Sequence, residues 1–499
     1  MQASLSQKQS ISQNIPVMNK RSLIVFFVIF ILVMPQVLQA MDSQTVLKGR
    51  KMDYAGDTIV FLGYSNMISF QENEIGRCSV DDSGFFECVI PIDQTKHVFT
   101  YLGVYNCYLY AEPGMVYNIR LPGKREKTMQ DILNPYYEET AIHLSVSANS
   151  NLQNHALPET DEELNFTIRT FNDSFYPYYY KFVIDAYGNK VDRKELSQAE
   201  KEIRAPFDSI GGSFLNSYID YRIGLMEHFG SQVSNQRIIE SYFIRKPVQY
   251  QNPAYMELFN QVFKDYFITF AEEHPGSKLP LVLNREKDFT KTNEILSKLA
   301  SLKNDTLREL VLLKGLYDGY YDGKNIPASM IQLLDSLKFN STIEIHKQAV
   351  QDIMLEITKM LPGYRPPDFT LYDSDSSLVN LSDFKGEFVY LNFCNSFGYY
   401  CVREYEYLRI LHERLKGKIR IVTILVDDSF QNMKQLVESN NYPWNFLHFS
   451  NQPDVLDSYD IQAYPSYFLI GPEGKMILSP APSPMENFES TFNEIHLNQ

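Results

Sequence analysis

In the stretch NFCNSFGYYCVRE, residues 392–404, two of the chain's five cysteines, Cys394 and Cys401, stand between an apolar run and the start of a helical pattern. Two thiols at a strand-to-helix turn point to redox chemistry, because the thiolate is the reactive form of cysteine and a helix N-terminus stabilises it. The familiar spacing for that chemistry is C-x-x-C, yet the residue three before Cys401 is Gly398. The residues leave three readings open. Cys401 is a buried, inert thiol; or it acts by itself; or it pairs with Cys394, which requires Cα atoms within about 7 Å. The spacing of Cys401, Tyr405, Leu408, Leu411 and Leu415 places Cys401 on the apolar stripe of its helix, where burial raises a thiol's pKa.

A second pair, Cys78 and Cys88, lies in RCSVDDSGFFECVI. With Asp82-Ser83-Gly84 as a hairpin loop and Gly84 in the left-handed position, Val80 faces Phe86 and Cys78 faces Cys88. Cys78, Val80, Phe86, Cys88 and Ile90 then share an apolar face, while Arg77, Ser79 and Glu87 fall on the other. This makes Cys78–Cys88 a structural-disulfide candidate, with two small core thiols as the alternative. The nine histidines are scattered without metal-ligand spacing, and no phosphate-cradling, dinucleotide-binding or G-x-S-x-G motif occurs. No metal or cofactor is therefore expected. Asp427-Asp428, closing IVTILVDD, reads as an ordinary strand-end turn.

The elements that must position these residues change character along the chain, and the class expected is α+β multidomain. Residues 41–123 hold TIVFLGY, FFECVIPI, HVFTYLGVYNCYLYA and MVYNIRL, β-branched and aromatic runs broken by turn residues. They predict an N-terminal antiparallel β-sandwich-like domain. Residues 124–360 place apolar residues at helical spacing and predict a mainly helical domain, with the aromatics around Tyr255–Phe270 as its core. After the Pro-rich connector PGYRPPDF, residues 361–499 alternate strands and helices: FVYLNFC, a helix from Tyr400, IRIVTILVD, FQNMKQLVES, WNFLHFS, PSYFLIG, KMILS and a last helix from Met485. That order predicts α/β layers around a mixed sheet.

Residues 1–40 read as a secretory signal peptide with an upstream extension. Lys20 and Arg21 precede the apolar run Leu23–Met34, and PQVLQA ends on the small residue Ala40. The run is 12 residues long, short of the roughly 17–25 a spanning helix needs. No stable membrane span is expected after cleavage, and the product is placed in the periplasm or cell envelope. A net charge of −15 excludes nucleic acid as a partner. Oligomeric state is not legible.

Residues 361–499 resemble the thioredoxin superfamily in its TlpA-like/AhpC-TSA branch of exported proteins. PGYRPPDFTLYDSDSSLVNLSDFKGEFVYLNF resembles that branch's lead-in to the first central strand. AYPSYFLIGPEGKMI resembles its cis-proline strand, with Pro465 in the cis-proline position after Tyr464. NFCNSFGYYCVRE stands where N-F-W-A-x-W-C-x-x-C-x-x-E is usual. The upstream regions resemble those of multidomain envelope proteins from Bacteroidetes-type bacteria.

The resemblance implies a thioredoxin-like fold in which Gly398 holds the position of the attacking cysteine and Cys401 that of the resolving one. Cys394 replaces an aromatic. The peroxiredoxin pattern P-x-x-x-T-x-x-C, with a glutamate three further on, is matched at Cys401 and Glu404 but not at Cys394 and Gly398. The leading expectation is a redox-inactive binding or scaffold member, whose groove of Tyr399, Tyr400, Tyr464 and Pro465 receives an extended peptide or envelope protein. The alternative is a thiol-disulfide oxidoreductase, or a peroxidase-like antioxidant protein, using Cys401 with Cys394.

Overall fold

The computed structural model describes residues 44–134, 136–150, 163–185, 193–230, 233–427, 429–450 and 452–497. The expected signal segment, residues 1–40, and Asp428 lie outside the described residues.

Strands β1 (Gln44–Arg50), β2 (Thr58–Tyr64), β3 (Glu72–Ser79), β4 (Phe85–Pro91), β5 (Lys96–Leu102), β6 (Tyr105–Ala111), β7 (Met115–Arg120), β8 (Thr140–His143) and β9 (Ser145–Ser150) form two sheets, ordered β4-β1-β7-β9 and β3-β2-β5-β6-β8. Alternation builds the core between them: in β4, Phe86, Cys88 and Ile90 point inward while Glu87, Val89 and Pro91 face out. Two pairings, β1 with β7 and β6 with β8, are parallel rather than antiparallel. Strands β8 and β9 fall in a stretch whose sequence was expected to be helical, and they complete the sheets by pairing with β6 and β7.

The turn after β3 forms with Gly84 at φ +73° and its N–H donating to the Asp81 carbonyl at 2.8 Å. It does not close a hairpin ladder. β3 pairs with β2 and β4 with β1, in opposite sheets. A hairpin and a corner between layers show the same inward–outward alternation, so periodicity does not separate them. Cys78 and Cys88 still share one core cluster, as free, buried thiols.

Helices from Leu164–Tyr179 to Glu344–Thr358 make the middle region. Tyr255, Phe259, Phe263, Phe267 and Phe270 are buried in its core.

The C-terminal region is built on β10 (Thr370–Asp373), β11 (Leu378–Asn380), β12 (Val389–Cys394), β13 (Arg420–Leu425), β14 (Asn445–His448), β15 (Ser466–Ile470) and β16 (Met476–Leu478). They form one mixed sheet, ordered β11-β10-β14-β13-β12-β15-β16, with β12, β13 and β14 parallel. Helices α1 (Tyr399–Arg414), α2 (Phe430–Asn440) and α4 (Phe488–Leu497) cover one face. α3 (Pro453–Ser458) covers the other, together with Met129, Ile132 and Leu133 from the segment between β7 and β8. Every residue of the central strand β12 is buried, as a strand covered on both faces must be.

Candidate functional site

Alternation along β12 decides which thiols meet. Val389, Leu391 and Phe393 point to the α3 face, and Tyr390 and Cys394 to the α1 face. Cys401 is the third residue of α1, and its stripe with Tyr405, Leu408, Leu411 and Leu415 is buried against that same face. Strand end and helix start therefore deliver Cys394 and Cys401 to one spot. Both are free and 0% exposed, in one buried cluster. The Asn395 N–H donates to Cys401 Sγ, at 3.4 Å.

The surroundings act on the two thiols in opposite directions. Burial, and then the neighbouring Cys401, push the Cys394 thiol well above its ordinary pKa. Cys401 is held below its ordinary value, chiefly by the neighbouring Cys394 and also because it accepts the Asn395 N–H; burial opposes both. The burial expected for Cys401 is observed, and the Asn395 N–H aimed at its sulfur opposes the rise that burial causes.

Gly398 is the N-cap of α1, at φ −70° and ψ 121°. Its N–H donates to Asn395 Oδ1 at 2.5 Å. A Cβ at 398 would lie closer than 3 Å to that oxygen. The glycine therefore answers to a close approach and not to a backbone angle. The same loop turns outward, leaving Phe397 71%, Tyr399 71% and Tyr400 64% exposed as an aromatic ledge over the thiols. Tyr464 is half-buried beside it, and the Tyr464–Pro465 bond is cis. Burial raises the Tyr464 hydroxyl pKa most, and the charges of Cys401 and Cys394 add to it. Cys394 and Cys401 share one buried cluster that Tyr464 packs against, while Tyr399 and Tyr400 touch each other at the exposed start of α1.

Three further residues complete the site. Asn395 fills the space beside Gly398. Asp427, read from sequence as a surface turn residue, is buried and accepts the Ser396 N–H at 3.0 Å, tying the loop to the end of β13. Glu404, one helical turn after Cys401, is buried and accepts a hydrogen bond from the Tyr467 hydroxyl. Burial raises the Glu404 pKa, with the Tyr467 bond opposing. The available signal was spacing: Glu404 lies at i+3 from Cys401 on a core-facing helix, and Tyr467 stands two residues after Pro465.

A parallel-centred mixed sheet, helices on both faces and a cis-proline beside a cysteine at a helix start define a thioredoxin-like domain. Residues 362–479 match the AhpC/TSA family model. The thiol-disulfide oxidoreductase ResA of Bacillus subtilis is 33% identical over 117 residues, covering 23% of this chain and 64% of that protein. The match thus spans just under two thirds of that relative's length. The ResA protein of Bacillus thuringiensis subsp. konkukian is 29% identical over 121 residues, 24% of this chain and 69% of that one. The solved thioredoxin domain of a thiol-disulfide oxidoreductase from Bacteroides vulgatus aligns at 26% identity over 27% of this chain and 97% of that one, with a TM-score of 0.25.

Proposed function

We propose that this is an exported protein whose thioredoxin-like domain binds an extended segment of a peptide or envelope protein and does not exchange disulfides with it. One observation carries the reading. Gly398, which the resemblance aligns with the attacking cysteine, bears no thiol, and Cys394 and Cys401 are 0% exposed. Exchange begins when a thiolate reaches a partner's sulfur in line with its S–S bond. A sulfur with no exposed surface does not reach the disulfide of a folded partner.

The surface left over the thiols suits binding. Phe397, Tyr399 and Tyr400 offer large rings with few rotatable bonds, so contact costs little side-chain entropy. Export is supported by the basic-then-apolar pattern of residues 20–40. Among the described residues no helix is long and apolar enough to cross a membrane. A suitable probe is fluorescent insulin B chain with its cysteines alkylated, an extended peptide unable to exchange. It is expected to bind the full chain and to lose at least about tenfold in affinity, about 1.4 kcal/mol, with Tyr399→Ala/Tyr400→Ala. No binding to the unaltered chain rejects the docking role.

A second reading, a thiol-disulfide oxidoreductase working through Cys401 and Cys394, is favoured by the one buried cluster those thiols share and by the names of the relatives. It requires turnover of a protein disulfide that disappears in Cys401→Ser.

A further inference from the structure

We propose that the outer face of the β-sandwich carries a binding site for a small phosphate ester, whose phosphate sits between Arg50 and Arg120 with Lys48 beside them. The site is an open groove of about 600 Å³, within the size range of small-molecule sites. Lys48 and Arg50 come from β1, Asn118 and Arg120 from β7, and Ser145 and Ser147 from β9. Alternation puts all six on the outer face, because Leu47, Tyr117, Ile119 and Val146 between them point into the core. Strand pairing then sets them side by side. Lys48 registers with Asn118, Asn118 with Ser147, and Arg120 with Ser145. Gly49 registers with Ile119, so one residue further along these two parallel strands Arg50 lies beside Arg120.

Two guanidiniums on strands about 4.8 Å apart repel each other unless an anion lies between them. The chain has carboxylates to spare, with a net charge of −15. Even so, among the described residues no ion pair joins Lys48, Arg50 or Arg120 to any of them. Glu87 registers with Lys48 from β4 but does not line the groove. Asp81 feels the charge of Arg50, yet its Oδ1 already accepts the Ser83 N–H, the Ser83 hydroxyl and the Phe85 N–H. No carboxylate lines the groove, and every polar side chain in it brings a donor. The Ser145 hydroxyl accepts an N–H of Arg169 at 3.2 Å, which leaves its own proton to donate. A phosphate ester is the complement of such a surface. Its phosphate oxygens accept, it carries a charge of about −1.5 to −2 at pH 7, and a guanidinium fork meets it with two parallel bonds. A lone carboxylate offers less charge and fewer oxygens, too little for both arginines and Lys48. The acidic remainder of the chain is repelled by an anionic membrane as a whole, which favours a soluble ester over a lipid headgroup. The site lies in the sandwich and does not rest on the docking role of the thioredoxin-like domain.

The experiment titrates the full chain calorimetrically with glycerol 3-phosphate, and with glycerol as the uncharged control. The expected result is a Kd of about 1 mM or tighter at low ionic strength, weakening as salt is added, and no binding of glycerol. Arg50→Gln/Arg120→Gln is expected to lose at least about tenfold in affinity. Arg77→Gln/Arg125→Gln removes the same charge from exposed positions outside the groove and is expected to bind as the unaltered chain does. All four arginines are exposed, so neither double variant disturbs the core. No binding by the unaltered chain overturns the site, and so does an equal loss in both double variants. A second arm sediments the chain with vesicles of phosphatidylglycerol or of phosphatidylcholine. Sedimentation with phosphatidylglycerol alone, lost in Arg50→Gln/Arg120→Gln and without binding of glycerol 3-phosphate, overturns the soluble ester and assigns the groove to a membrane surface. No peptide and no thiol enters either arm, so these failures are distinct from failure of the docking role.

Discussion

The side-chain oxygen of Asn395 accepts the Gly398 amide hydrogen at 2.5 Å and fills the space a side chain at 398 would need. The loop is therefore packed against any side chain at position 398. Gly398→Cys by itself is expected to cost about 1–3 kcal/mol, the usual range for forcing atoms into a filled site, and to create little exchange activity. Gly398→Cys combined with Asn395→Ala is expected to recover the stability and to reduce insulin. Urea unfolding and insulin turbidity on both variants check this. Strong activity from Gly398→Cys alone shows that Asn395 yields freely.

All five cysteines are buried. Ellman's reagent on the reduced, native chain is expected to find fewer than one fast-reacting thiol, and five after denaturation. A fast thiol lost in Cys401→Ser places that sulfur at the surface in solution.

Glu404 has a raised pKa, caused first by burial and countered by the Tyr467 hydroxyl. A raised folded-state value contributes stability that is full below the unfolded pKa and is lost as pH rises through the folded one. Tyr467→Phe removes the countering bond and leaves a buried carboxylate short of a donor. Its cost is expected to be about 1–3 kcal/mol at pH 7.5 and smaller at pH 4.5. Chemical denaturation at both values decides, and a penalty that does not grow with pH contradicts the assignment.

In the sandwich, His97 lies among Tyr64, Phe99, Tyr108 and Tyr110, with His143 from β8 nearby. Burial, then the charge of His143, push its pKa down to about 4. For a lowered histidine the unfolded chain takes up the proton first, so stability is full above about pH 6.5 and is lost as pH falls toward about 4. The loss assigned to His97 is roughly 1–3 kcal/mol. His97→Phe is expected to narrow the drop in unfolding midpoint between pH 7 and pH 5. An unchanged drop removes His97 as its source.

Much of the C-terminal domain was legible because its signals are local. Strand and helix periods, the Pro-rich connector and the position of Pro465 lie within short windows, and the stripe from Cys401 to Leu415 is buried as its spacing indicates. What escaped depends on partners distant in sequence. Cys78 and Cys88 show the same alternation whether β3 and β4 share a ladder or face each other across a core, and the second arrangement is observed. Asp427 looks like a turn residue until the Ser396 amide arrives from the loop after β12. The lowered Cys401 pKa follows from neighbours that become visible only when β12 and α1 are placed together.

Insulin reduction by dithiothreitol-recycled full-length chain tests most directly whether the domain has given up disulfide exchange. A rate equal to that of dithiothreitol alone, unchanged in Cys401→Ser, is the predicted result. A rate well above it, abolished by Cys401→Ser, contradicts the binding role and assigns the domain to catalysis.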